Sequence, residues 1–148
     1  MPFKTITTYI CEDCNKEVAN PDKHWCAKRK ARRAEKKRED EQWERNYNRI
    51  QNSWDVWEAK QNIEHARPPC DNTPRQIAHK GKCILTYMSW GEKEYKSEVL
   101  TNPTYGTVLK HFDDAIALTG DDHHIFFEGL EARGKRNGIT KLEICAGS

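Results

Sequence analysis

Sixteen residues near the start of the chain, CEDCNKEVANPDKHWC (11–26), carry four side chains suited to one metal ion. Cys11 and Cys14 have the two-residue gap that lets both thiolates reach one ion from a tight turn. His24 and Cys26 follow ten residues after Cys14, where a helix-forming run begins. Two ligands from a turn and two from a helix start make a tetrahedral zinc site. A helix N-terminus also carries partial positive charge, which favours thiolates. The expectation is one structural Zn2+ held by Cys11, Cys14, His24 and Cys26. Cys70 is the alternative fourth ligand if His24 points away. A plainer reading is a set of incidental cysteines in a polar loop. A stretch with one Trp and little else to bury, however, does not hold a fold without a metal.

A second group of chemically capable residues is Asp121, Asp122, His123 and His124, with Glu128 four positions on. On a strand, His124 and Glu128 share one face and His123 takes the other. That could build a metal-dependent hydrolase, but two turn-forming Asp after a helix and two His entering a strand explain the run more simply. No phosphate loop, nucleophile elbow or dinucleotide fingerprint is present. The reading is therefore of a protein that is not an enzyme.

In layout, segment 11–26 resembles the treble-clef group of zinc fingers. The likeness covers those residues alone. It departs from the usual pattern in its second pair, His24-x-Cys26 in place of Cys-x-x-Cys or His-x-x-x-His. The resemblance implies a small zinc-stapled module, a type that serves DNA, RNA and protein binding alike.

The elements that position these residues follow from composition and periodicity. FKTITTYI (3–10) alternates apolar and polar residues, as a short strand does. From about 22 to 66 the chain has no Gly or Pro and is rich in good helix formers. Asp22 can cap this helix and Pro68-Pro69 end it. Unbroken, it would be roughly 60 Å long, so part of it must project or meet a partner. Residues 67–81 read as a linker, with three prolines. In 82–148 two strand patterns, joined at Gly91-Glu92, precede a helix capped by Thr101 or Asn102 and stopped by Gly120. Tyr105, Val108, Leu109, Phe112 and Ile116 line one face of that helix. Two more strands follow, separated by the basic loop RGKRNG (133–138). Cys83 and Cys145 lie in apolar strand patterns and read as buried thiols. The predicted fold is α+β, in four parts: a knuckle (1–26), a long charged helix (27–66), a linker (67–81), and a ββαββ unit with an antiparallel four-stranded sheet (82–148).

Function hangs on two stretches of the long helix. Lys28, Arg29, Lys30, Arg32, Arg33, Lys36, Lys37 and Arg38 put eight cations into eleven positions. Cations near a helix N-terminus oppose its dipole, so the block favours an anionic partner, nucleic-acid phosphate being the obvious one. The competing reading is a solvated face held by i, i+4 pairs such as Lys36–Asp40 and Lys37–Glu41. Further along, Trp43, Tyr47, Ile50, Trp54 and Trp57 recur at spacings of 4, 3, 4 and 3. This stripe can pack on the C-terminal sheet or take a protein partner, including a second copy of the chain. Bulky aromatics suit a narrow coiled-coil seam poorly.

The bulk numbers bound these readings. Of 148 residues, 32% are charged, and the net charge is only +2, so any attraction to an anion must be local. Mean hydropathy is −1.00. Five Trp, five Tyr and four Phe argue against disorder. With no leader pattern and no apolar run of membrane-spanning length, the expectation is a cytoplasmic protein without membrane contact. In a reducing compartment six cysteines suit metal or core better than disulfides. The leading expectation is a zinc-binding accessory protein contacting nucleic acid through the basic helix. The alternative is an interaction, assembly or inhibitor protein, phage-encoded in one version, using the aromatic stripe and C-terminal sheet.

Overall fold

The computed structural model describes residues 8–20, 24–90 and 93–148. Most of the predicted strand at 3–10, the Asp22 cap and the Gly91-Glu92 turn lie outside those residues. The fold is α+β, and the chain divides into two compact units, Met1–Asn46 and Tyr47–Ser148.

In the first unit β1 (Tyr9–Ile10) pairs antiparallel with β2 (Glu17–Val18). The tight turn between them is closed by the Asn15 N–H donating to the Cys11 carbonyl at 2.7 Å and Cys11 N–H to Lys16 at 2.9 Å. Asn15 sits at φ 58°, a left-handed conformation that Asn tolerates better than most residues. α1 (Ala27–Glu58) follows, and it crosses the boundary between the units. Among the described residues of the first unit, only Cys11 and Cys26 are buried. Among its described residues this unit has no apolar core.

The helix is shorter than the sequence suggests, ending at Glu58 rather than near residue 66. No Gly or Pro stops it. Instead the segment after it is captured by the second unit. The Asp113 carboxylate accepts the backbone N–H groups of Glu64, His65 and Ala66, and Arg67 then bridges Phe126 in extended form.

The second unit is built on β3 (Lys82–Met88), whose alternate residues Cys83, Leu85 and Tyr87 are buried. β4 (Glu94–Lys96) and β5 (Leu100–Thr101) both pair antiparallel with it. The sequence suggested one strand here. Ser97 breaks it, its hydroxyl accepting the Leu85 N–H while its own N–H donates to Leu85. α2 (Tyr105–Thr119) is capped by Thr104 rather than by Thr101 or Asn102, and ends at Gly120 with φ 71°. Asn102 serves elsewhere, accepting the Gly81 N–H at 2.6 Å.

β6 (Phe126–Arg136) and β7 (Ile139–Gly147) form a hairpin around Asn137-Gly138, both at positive φ as a type I′ turn requires. The expected RGKRNG loop is thus mostly strand. The sheet order is β4-β3-β7-β6, with β7 running parallel to β3. The sheet is therefore mixed, not antiparallel throughout. Two hairpins joined by a helix can meet in either relative direction, and nothing in the alternation of a strand records which.

α2 lays Val108, Leu109, Phe112 and Ile116 on one face of this sheet, against Leu85, Tyr87, Leu142 and Ile144. Ile50 and Trp54 of α1 complete the same core. Trp54 is fully buried, and its indole N–H donates to Asn72 at 2.6 Å. Trp57 packs at the margin, its ring so close to Gly106 that a side chain there would collide with it. Burying Trp54 and Phe112 alone accounts for several kcal/mol of transfer free energy.

Candidate metal centre

The knuckle is assembled from the β1–β2 turn and the first turn of α1. The ligand atoms of Cys11, Cys14, His24 and Cys26 all lie within 4.8 Å of one another. Cys14 Sγ and His24 Nε2 are 3.5 Å apart. Zn–S and Zn–N bonds in tetrahedral geometry place a sulfur and a nitrogen ~3.6 Å apart, so the donor set fits zinc. It fits by chemistry too: three thiols and an imidazole, with two of the cysteines buried. His24 belongs to the cluster. Cys70, the alternative, is exposed in the second unit, its thiol 3.6 Å from Asp71.

Cys26 also starts the helix. Its carbonyl accepts the Lys30 N–H at 3.0 Å and its sulfur accepts the Arg29 N–H at 3.4 Å, the bond a capping side chain makes to the third residue. The Cys14 backbone N–H directed at the Cys11 sulfur is the main reason that thiol is lowered to about 6. For Cys14 the Lys16 N–H favours the thiolate, yet burial and the neighbouring sulfurs of Cys11 and Cys26 outweigh it and raise the thiol. One sulfur ionises at the expense of the next, and a divalent cation relieves that conflict.

Asp13, inside the Cys-x-x-Cys turn, was not singled out by the sequence reading. Its carboxylate accepts from Arg29 Nε at 3.0 Å and pairs with Arg32 Nε at 2.7 Å. The hydrogen bond from Arg29 is the largest cause of its lowered pKa, with Arg32 adding to it. Arg29 also reaches Cys11 Sγ at 3.5 Å. Such outer contacts orient ligands and offset thiolate charge. The signal was in the sequence, as an acid within the turn and two Arg three residues apart. It was hidden because eight cations compete for the role.

Arg29 and Arg32, both assigned from sequence to nucleic acid, are therefore tied to the knuckle. Lys28, Lys30, Arg33, Lys36, Lys37 and Arg38 are exposed, and none has a carboxylate within 4 Å among the described residues. The pairs Lys36–Asp40 and Lys37–Glu41 do not form.

No family model, curated protein or solved structure matches this chain. The function must be read from its own residues.

The aromatic stripe divides. Ile50 and Trp54 are buried in the core of the second unit and Trp57 packs against it, which removes Ile50 and Trp54 from any partner surface. Tyr47 is 38% exposed and Trp43 67%.

The DDHH run divides as well. Asp121 accepts from the Tyr87 hydroxyl at 2.8 Å and lies 3.2 Å from His124 Nδ1. The His124 ring sits against Trp90, with centroids 5.2 Å apart. Burial opposes the Asp121 carboxylate, but the Tyr87 and His124 contacts overcome it and lower its pKa. Burial, aided by Asp121, pushes the Tyr87 hydroxyl up. Asp122 and His123 are exposed, their side chains 3.7 Å apart, while the His123 N–H donates to Asp121 and the Asp122 N–H to the Gly120 carbonyl. His124 precedes β6, and a bulge shifts the register between Phe127 and Gly129, so His124 and Glu128 do not share a strand face. Glu128 instead lies over Gly147. Among the described residues the knuckle is the one group of three or more such ligands. Cys83 is fully buried, while Cys145 is half-buried on the sheet's other face.

Proposed function

We propose that this is a zinc-stabilised accessory protein that contacts nucleic acid through the first turns of α1. One observation carries the reading. Asp13 pins Arg29 and Arg32 to the metal centre, while the cations around them are exposed and have no carboxylate within 4 Å among the described residues. Lys30, Arg33 and Lys37 fall on one face of the helix at spacings of three and four. With no acid in its first turn, this end of α1 holds cations beside a partial positive pole, an arrangement that costs stability. Phosphates supply the missing counter-charge through salt-sensitive, sequence-blind contacts.

The test is anisotropy of a labelled oligonucleotide titrated with full-length protein and with Lys30→Glu, Arg33→Glu, Lys37→Glu. The triple variant should bind at least about tenfold more weakly, and its salt dependence should flatten by about 0.7–0.9 in log–log slope per lost phosphate contact. Unchanged affinity with metal retained would overturn the proposal.

A second reading, an interaction or assembly protein, is favoured by Trp25 and Trp43, 72% and 67% exposed. Aromatics of this kind often anchor protein interfaces. Loss of partner binding in Trp43→Ala, with nucleic-acid binding absent in the parent, would favour it.

A further inference from the structure

The sheet of the second unit buries one face under α2 and leaves the other open. Alternation along β3 puts Cys83, Leu85 and Tyr87 toward α2 and Lys82, Ile84, Thr86 and Met88 on the open face. The register then sets Lys96 opposite Thr86, Lys141 opposite Ile84, and Arg136 opposite Ile139. These three cations border a cleft of about 540 Å³ floored by Ile84 and Ile139; Lys135, on the same lining strand, pairs with Thr140 and so sends its side chain to the face of Cys83. Arg133, at its edge, is neutralised by Glu131 at 3.1 Å and by Glu143. Lys96, Arg136 and Lys141 have no carboxylate within 4 Å among the described residues.

A second feature marks the cleft. The β6 register shifts between Ala132 and Gly134, and Gly134 adopts φ +139° with open space where a side chain would stand. That conformation favours glycine, and the bare backbone lets a ligand approach closely. Three like charges beside an apolar floor repel one another, and an anion with an apolar part relieves both features.

We infer that this cleft binds a strand of single-stranded nucleic acid, with phosphates on Lys96, Arg136 and Lys141 and an unpaired base on Ile84 and Ile139. A duplex keeps its bases stacked and paired, so only a single strand can use the floor. The inference rests on the proposal that the protein contacts nucleic acid, and it adds a surface separate from α1.

The experiment measures anisotropy of a labelled 12-nucleotide oligo(dT) with the full chain at several salt concentrations. Lys96→Gln, Arg136→Gln, Lys141→Gln is compared with Lys30→Gln, Arg33→Gln, Lys37→Gln. Three single-strand contacts predict about a 100-fold weaker complex at 0.1 M salt for the sheet variant and a log–log slope shallower by about 2. The single variant Arg136→Gln, confined to the hairpin end, should lose about fivefold, so a folding defect in the triple variant does not decide the matter. Parent binding that the sheet variants leave intact and the helix variant weakens would overturn this inference alone. No binding by the parent would overturn both readings. Equal competition by a poly-glutamate peptide or by duplex would replace the single strand as ligand and likewise overturn it.

Discussion

Chelation of the purified protein should strip hydrogen-exchange protection from the Cys11, Asn15 and Arg29 amides and leave that of Leu85 and Ala66 unchanged. The first three are bonded only within the knuckle, to the Lys16 carbonyl, the Cys11 carbonyl and the Cys26 sulfur. The first unit has just two buried residues among those described, and both are cysteines of the cluster. With no apolar core among its described residues, the free energy of metal binding is the folding free energy, on the order of 10 kcal/mol at neutral pH for structural zinc. Cys11→Ser with Cys14→Ser should reproduce the chelated pattern. The second unit has its own core around Trp54, Leu85 and Phe112 and should not respond. Protection that survives chelation would mean the hairpin and helix start stand without metal.

Asp113→Ala should destabilise the second unit by about 3–4 kcal/mol, read as the urea midpoint followed by Trp54 fluorescence. Asp113 is 7% exposed, on the face of α2 that meets the core. Its carboxylate accepts from His65 N–H at 2.6 Å and Ala66 N–H at 2.8 Å, with Glu64 N–H at 3.2 Å. Ala66 is fully buried, so its donor has no water to turn to. Orphaning a buried donor costs about 1–3 kcal/mol, and bonds to a charged acceptor are the stronger ones. Asp113→Asn keeps one acceptor oxygen and should lose roughly half as much. A loss below about 1 kcal/mol for the alanine variant would show that residues 64–66 find other acceptors.

Much of the site was legible because metal chemistry is local. Cysteine spacing and the arrival of His24 and Cys26 at a helix start leave few alternatives, and the four donors do converge. The α2 face was legible for the same reason, as a 3.6-residue period needs no partner to be read. What escaped the sequence depends on distant contacts. α1 stops at Glu58 because Asp113, some fifty residues on, takes the backbone that would have continued it. The parallel pairing of β3 with β7 depends on which hairpin edge meets which, and alternation is blind to that. The bulges in β6 shift side chains between faces, separating His124 from Glu128 and bringing Lys141 opposite Gly134. Asp13 was overlooked because an acid inside a metal turn reads as solvated until a partner arrives from the helix.

Elemental analysis of protein purified without added metal tests the central claim most directly. One zinc per chain, absent from the Cys11→Ser, Cys14→Ser variant, is the predicted result. No metal in the parent protein, with the Cys11 and Arg29 amides still protected from exchange, would contradict it.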